Sequence, residues 1–461
     1  MSSGMPMDMQ MGRDLGLLLP QIVVLLTAVA ALVAEMLRRP RWALAFTVGG
    51  LVIAAVLAAR LIGTRTTVFM GTYRIDDLSV WATLILAPAT ALCALLAAPE
   101  VGGSDREGTV YSLLSFTALG ALVLAGAGDT MFLVLGVLLA SLGSFALVAY
   151  PRDDRATEAG VKYLVFGSVA SAAMIYGLTF WYGATGATLL ADLDRLTSAL
   201  LAAVGLLAVL IGLGYKAALA PFHFWAPDAY EGGPLAVAAF LSVVPKVGAL
   251  FALAQVAQSL PPALLDWRPV VAALAVVAMV WGNLGAFSQE NVVRLLAYSS
   301  VAQSGYFLLG IVALGRSPLA LQSLVVFAAA YAAMNLGAFA ILAAAGRDLA
   351  ALAGLGRAAP WTGAALVIFL LSLVGVPPLA GFGGKLLLFG AALDAGYGWL
   401  AAVAILNSVL SLAVYLRIIV PLYRASVVPA PRHPLALVGA IALALTVALG
   451  IGVQVLTGLL I

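Results

Sequence analysis

The sequence predicts an all-α polytopic membrane protein of about fourteen transmembrane helices. Three observations predict it. First, the chain is 64% hydrophobic and 9% charged, against roughly 25% charged in an average soluble domain, so a soluble fold could not hide its apolar surface. Second, apolar stretches close to the ~20 residues of a span recur with only short loops between them. Third, only four lysines occur in 461 residues, and Lys216, Lys246 and Lys385 lie inside apolar stretches. An ionisable group at membrane depth is costly and marks function by default. Lysine, unlike arginine, can release its proton when desolvated.

Taken in order, the polar, Met-rich MSSGMPMDMQMGRD precedes a first span at 15–37, too long for a signal-peptide core. Spans at 42–62 and 78–98 follow, separated by the polar stretch Gly63–Asp77. The next five lie at 109–127, 130–150, 160–182, 198–220 and 234–256. Then come 269–287, 291–314, 318–345, 361–390, 398–420 and 435–458. Aromatic residues gather near span ends, as interfacial belts require. Thirteen Arg and Lys residues fall in the odd-numbered loops and seven in the even loops and N-terminal tail. That bias predicts both termini on the non-cytoplasmic side.

Two spans are interrupted. The seventh meets Pro221 just after Lys216, and the twelfth meets Pro377–Pro378 and then Gly381, Gly383, Gly384 and Lys385. Proline removes a helical donor, and open backbone at that depth survives only inside protein or beside water. Two broken helices five spans apart, each beside a lysine, point to a transporter built from repeats.

Other chemistries are excluded or weak. A net charge of +3 without a basic run does not suit nucleic acid. One cysteine, Cys93, cannot build a disulfide framework. His223 and His433 are too few for a haem or multi-ligand metal site without carboxylates. Ser299, Ser300, Gln303 and Ser304 form a polar face on the tenth span, suited equally to helix–helix hydrogen bonding and to lining a water wire. Asp228 and Glu231 in PDAYEGGP read as loop charges, Lys162 as an interfacial or relay residue, and His223 as a structural cap or a relay imidazole.

Four motifs coincide: KYLVFGSVASAAMIYGLTFWYGATG at 162–186, GYKAALAPFHFWAPDAYEGGP at 214–234, NVVRLLAYSSVAQSGY at 291–306 and GVPPLAGFGGK at 375–385. Together they resemble the antiporter-like membrane subunits of respiratory complex I, and YGATG and PDAYEG favour the N-type over the L- and M-types. The resemblance covers roughly residues 75–425. It implies one transmembrane domain with N-terminal helices at 15–98, inverted five-helix repeats at 109–256 (spans 4–8) and 269–420 (spans 9–13), and a C-terminal helix at 435–458.

The implied function is a membrane-arm subunit of a proton-translocating NADH–quinone oxidoreductase in a bacterial inner membrane. NADH, FMN, iron–sulfur clusters and quinone belong, on this reading, to other subunits, with M-, K- and J-type chains as neighbours. The family relay maps onto Lys216, Lys246, Lys385 and His223, with Lys162, Ser299, Ser300, Gln303 and Asp228 in support. Two protonated lysines ~7 Å apart repel by roughly 2 kcal/mol at an effective dielectric of about 20, enough to bias where a proton resides. Two departures stand out: the family's fifth-span glutamate aligns with Leu138, with no acid between Asp129 and Asp153, and a common family histidine is Gln303 here. The alternatives are a subunit of a multi-part cation/proton antiporter or membrane-bound hydrogenase, and a non-pumping scaffold, which Leu138 favours.

Overall fold

Short polar residues cap five of the described helices, through Asp76, Asp129, Asp153, Ser198 and Asn291. The computed structural model describes residues 7–104, 106–424 and 437–459. Arg432, His433 and the first two residues of the expected last span lie outside them. The chain opens with α1 (Met7–Leu17), α2 (Leu19–Met36) and α3 (Pro40–Ala59), followed by an antiparallel hairpin of β1 (Thr66–Val68) and β2 (Tyr73–Ile75), Thr66 opposite Ile75. That hairpin lies in the polar stretch Gly63–Asp77 between two spans and is an addition to the all-helical expectation.

The next group is α4 (Asp77–Val101), α5 (Glu107–Ala125), α6 (Thr130–Val148) and α7 (Asp154–Thr185). Asp76 and Ser79 form a reciprocal capping box at α4, each side chain 2.9 Å from the other's backbone nitrogen. At α5 the anion comes from another helix: Glu35 of α2 accepts from Thr109 N at 2.6 Å and Thr109 Oγ1 at 2.7 Å. Asp129 caps α6 through Met131 N and also accepts from Thr188 Oγ1, and Asp153 caps α7 through Ala156 N.

Then come α8 (Ala199–Lys216), α9 (Trp225–Gly232), α10 (Leu235–Ser259), α11 (Arg268–Phe287), α12 (Val292–Val312) and α13 (Leu319–Ala345). The remainder is α14 (Leu349–Leu352), α15 (Leu355–Ala358), α16 (Pro360–Val374), α17 (Ala380–Asp394), α18 (Gly398–Leu422), α19 (Leu437–Ile451) and α20 (Val453–Gly458).

Among the described residues, twelve helices are long and apolar enough to cross a membrane, against about fourteen expected. The two expected spans without a single matching helix, 361–390 and 435–458, are each split into two shorter helices, α16–α17 and α19–α20. Proline and glycine explain the first split: Gly375 closes α16 at φ +96, Pro377 and Pro378 cannot donate to a helical ladder, and α17 restarts at Ala380.

α10, α12 and α13 form the centre, with α10 buried throughout and the other two nearly so. α2, α3, α7 and α18 lie at the periphery, with only 28–39% of their spanning residues buried. Lipid solvates such a surface as well as protein does, so an exposed Leu or Val there carries no penalty. The chain is a multi-pass membrane protein whose three buried lysines lie on or beside its innermost helices.

Candidate functional site

Each buried lysine sits where helical backbone runs out or a proline interrupts it. Lys216 is the last residue of α8, Lys246 follows Pro245 within α10, and Lys385 lies in the first turns of α17. All three side chains are at most 2% exposed. An ammonium can donate three hydrogen bonds, and at Lys385 the open end of α16 supplies carbonyls that a continuous helix would consume itself.

Lys216 Nζ donates to Ala140 O at 3.0 Å and to Ser141 Oγ, Ser144 Oγ and Tyr163 Oη at 3.1 Å each. Tyr163 is held by stacking on Trp225, with ring centroids 4.2 Å apart, and Trp225 Nε1 donates to Tyr215 O. The amine therefore stands in a cage of neutral oxygens supplied by α6 and α7. No carboxylate lies within ion-pair distance of it among the described residues. Asp129 is committed to its cap and to Thr188, about 17 Å down α6 from Ala140 by helical rise. Leu138 points elsewhere: it is 40% exposed, whereas the α6 face meeting Lys216 is that of Ala140, Ser141 and Ser144.

Lys246 Nζ donates to Ser300 O at 2.7 Å and closely to Ser300 Oγ. The Ser300 hydroxyl also meets Tyr331 Oη at 2.8 Å and Tyr230 Oη at 3.5 Å. Tyr331 then donates to Ser242 O, and Asn335 donates to the Ser242 hydroxyl. Lys385 Nζ donates to Leu373 O and Val374 O, both at 2.9 Å, and to Ser408 Oγ at 3.1 Å. Those carbonyls are the free C-terminal acceptors of α16. The amine also lies 4.1 Å from the centroid of Tyr306, whose hydroxyl meets Ser408.

The polar face of α12 joins these three sites. Ser304 Oγ donates to Ala217 O, the first carbonyl past the α8 break, at 2.7 Å, and to Ser300 O at 3.1 Å. Gln303 Nε2 donates to Leu373 O, the carbonyl that also serves Lys385, at 3.2 Å, and to Tyr415 Oη at 3.4 Å. Ser299 meets the same Tyr415 hydroxyl. One helix is thus bonded to both breaks and to Lys246. Of the two roles read for this face, helix–helix hydrogen bonding is the one these contacts display.

Other expected residues lie apart. Lys162 is 43% exposed and pairs with Glu158 at 2.7 Å and Asp228 at 3.2 Å. Asp228 and Glu231 both bind Arg294, at 2.7 and 2.8 Å, and Glu231 also meets Arg155. This ion-pair cluster occupies the end of the bundle where α7, α10 and α12 begin. Burial works against ionisation of Asp228, but hydrogen bonds from Arg294 and Lys162 hold its carboxyl below the ordinary value. His223 is buried in the α8–α9 break beside Phe224, Trp281 and Tyr298. Its Nδ1 has no hydrogen-bond partner.

Ser141, Ser144, Tyr163, Tyr306, Tyr331, Ser408 and Tyr415 escaped the sequence reading. Only Ser141 and Ser144 left a usable trace, a pair three residues apart on an otherwise apolar span. Among the described residues no group of His, Cys, Asp or Glu is arranged to hold a metal ion. Chemically, the site offers amines that can hold or release a proton, beside hydroxyls that accept and donate at once.

The family described as "NADH:quinone oxidoreductase/Mrp antiporter, TM" matches residues 127–411. NADH-quinone oxidoreductase subunit N 1 of Streptomyces griseus is 41% identical over 97% of this chain and 98% of its own length. A chain of respiratory complex I from Thermus thermophilus, solved with bound aureothin, superposes with a TM-score of 0.84 at 33% identity, covering 96% of this chain and 99% of that one. A chain of an archaeal membrane-bound sulfane sulfur reductase superposes at 0.86 with 24% identity, covering 97% and 96%, a likeness of fold alone.

Proposed function

The chain belongs to the N-subunit family of NADH-quinone oxidoreductase, membrane-arm subunits that translocate protons, and we propose that Lys216, Lys246 and Lys385 are its proton-carrying groups. One observation carries this reading: α12 hydrogen-bonds to the backbone at both helix breaks and to the amine between them. A proton leaving Lys216 meets the Tyr163, Ser141 and Ser144 hydroxyls, each able to take one hydrogen bond as it gives another. The Ser304 and Ser300 hydroxyls lie between the first break and Lys246, and Gln303 braces the carbonyl that holds Lys385, positioning that amine without itself carrying a proton. Charge repulsion between amines would then set which one is protonated. His223, with an unpartnered buried nitrogen, is a proton acceptor at the first break. Lys162 and Asp228 secure the end of the bundle and take no part in the buried path.

On this reading helices 4–8 and 9–13 of the expected count form inverted repeats, each carrying one break. Both termini face the non-cytoplasmic side of a bacterial inner membrane. NADH oxidation and quinone reduction, with FMN and iron–sulfur clusters, take place in other subunits, and M-, K- and J-type chains flank this one.

The neutral cage around Lys216 favours a second reading, a subunit that completes the membrane arm without pumping. Proton stoichiometry per NADH in vesicles carrying Lys216→Ala or Lys385→Ala separates the two. A loss in either variant supports the relay; unchanged stoichiometry and turnover in both establish the scaffold.

A further inference from the structure

At the end of the bundle opposite the ion-pair cluster, α10 ends and α11 and α13 begin around a cavity of about 480 Å³. Arg268 lines it and is only 5% exposed. A guanidinium has five N–H donors and stays charged, so its burial requires acceptors and an anion. Here Nη2 donates to Leu314 O at 2.8 Å, which serves the C-terminus of α12. Nε has no partner, and Nη1 is 3.8 Å from Asp266, a half-exposed carboxylate beyond hydrogen-bond reach. The neighbouring Trp267, 1% exposed and stacked 4.7 Å from the guanidinium, also has an unpartnered indole N–H. Arg316 is close enough to repel Arg268 electrostatically. The N-termini of α11 and α13 border the same cavity, but so do the C-termini of α10 and α12, so the helix dipoles largely offset one another and the positive charge of the site is that of the guanidinium.

We propose that this cavity binds the phosphodiester headgroup of an anionic phospholipid. The phosphate fits because it carries a charge and several acceptors that a guanidinium engages with matched geometry. A lipid fits better than free phosphate because Leu260, Pro262, Leu314 and Leu321 supply an apolar wall beside the arginine, suited to the glycerol and upper acyl chain. The position agrees as well: the cavity lies where spanning helices start and stop, the level at which the ends of membrane helices meet lipid headgroups. The site is independent of the lysine path and does not rest on its assignment.

The test uses the full-length protein in its assembled complex, in phosphatidylcholine nanodiscs doped with a photo-crosslinkable phosphatidylglycerol, with labelled peptides mapped by mass spectrometry. Label is expected on peptides covering 257–268 and 314–321. Unlabelled phosphatidylglycerol displaces it, whereas excess phosphatidylcholine and excess inorganic phosphate do not. Arg268→Met lowers label at those peptides about tenfold, the equivalent of one charge-assisted hydrogen bond, while label elsewhere is unchanged. Leu321→Trp, which fills the cavity and keeps the arginine, lowers it similarly and stands in if Arg268→Met fails to assemble. Equal labelling in these variants overturns the proposal. So does displacement by phosphatidylcholine, which would mean an apolar groove without headgroup recognition, or by inorganic phosphate, which would mean a free-anion site.

Discussion

Replacing Gln303 by leucine separates stability from proton transfer more cleanly than removing a lysine. The glutamine makes two hydrogen bonds at 3.2 and 3.4 Å, the long end of the range, and its buried Oε1 has no partner. Two such neutral bonds contribute about 0.5 kcal/mol each, and an orphaned buried acceptor costs roughly 1–3 kcal/mol. The substitution orphans nothing new, because Leu373 O keeps Lys385 as donor and the Tyr415 hydroxyl keeps Ser299. Gln303→Leu is therefore expected to lie within about 1 kcal/mol of wild type, a melting shift of about 2 °C or less. Among the described residues it nonetheless removes the only direct bond from the polar face of α12 to the carbonyls at the second break. Protons moved per NADH should fall while assembly and melting temperature hold, measured by pH-dye uptake in vesicles and by thermal unfolding. Undiminished proton movement in a correctly assembled variant would refute the reasoning, as would a melting temperature lowered by more than about 5 °C.

Four further outcomes follow from the contacts. Gly381→Ala should disorder the second break, because a Cβ there would lie 1.7 Å from Ser372 O; overpacking costs about 1–3 kcal/mol or more, read as lower assembly yield and lost pumping. Tyr163→Phe removes one of four acceptors from Lys216 while keeping the stack on Trp225, so proton movement should fall with little change in melting; the same ratio as wild type would exclude the tyrosine from the path. Glu35→Ala removes the acceptor of Thr109 N and Oγ1 in the first turn of α5 while leaving Glu107 in place, and a cap of this kind is worth roughly 0.5–2 kcal/mol, so thermal unfolding should occur earlier without any effect on stoichiometry. The Asp228 carboxyl is held below its ordinary value, so its stabilising contribution is present above the usual carboxylate range and lost as pH falls through the lowered value. Asp228→Asn should melt below wild type near neutral pH, and the gap should close on acidification; a gap independent of pH would contradict the assignment.

Much of this architecture was legible because a membrane makes composition speak. The helices recur where apolar runs reach spanning length, and Pro221, Pro377 and Pro378 announced both breaks. The lysines were visible as charges in apolar surroundings, and Ser299, Ser300, Gln303 and Ser304 as one face at helical spacing. The cage of Lys216 was not visible, for two physical reasons. Its acceptors include a carbonyl of Ala140, which every residue possesses and no side chain reports. Tyr163 belongs to a helix whose aromatics are divided between exposed rings such as Tyr176 and Tyr182 and the buried Trp181, and only the packing of Phe145, Tyr215 and Trp225 around it shows that its hydroxyl is turned inward. The search for an acid on the fifth span looked for charge where the fold uses neutral oxygen. The hairpin at Thr66–Ile75 was missed because three-residue strands show no alternation long enough to read.

The ionic cluster has a mechanical corollary. Arg294, in the first turn of α12, grips Asp228 and Glu231 of α9, the helix that resumes after the first interruption. Arg347, just past α13, reaches over to the carbonyls of Glu231 and Gly233. A tilt of α9 is thereby levered onto α12, and through Gln303 onto the second interruption. Because these moorings are partly open to solvent, dissolved salt screens them, so ionic strength outside the membrane is a handle on geometry deep within it.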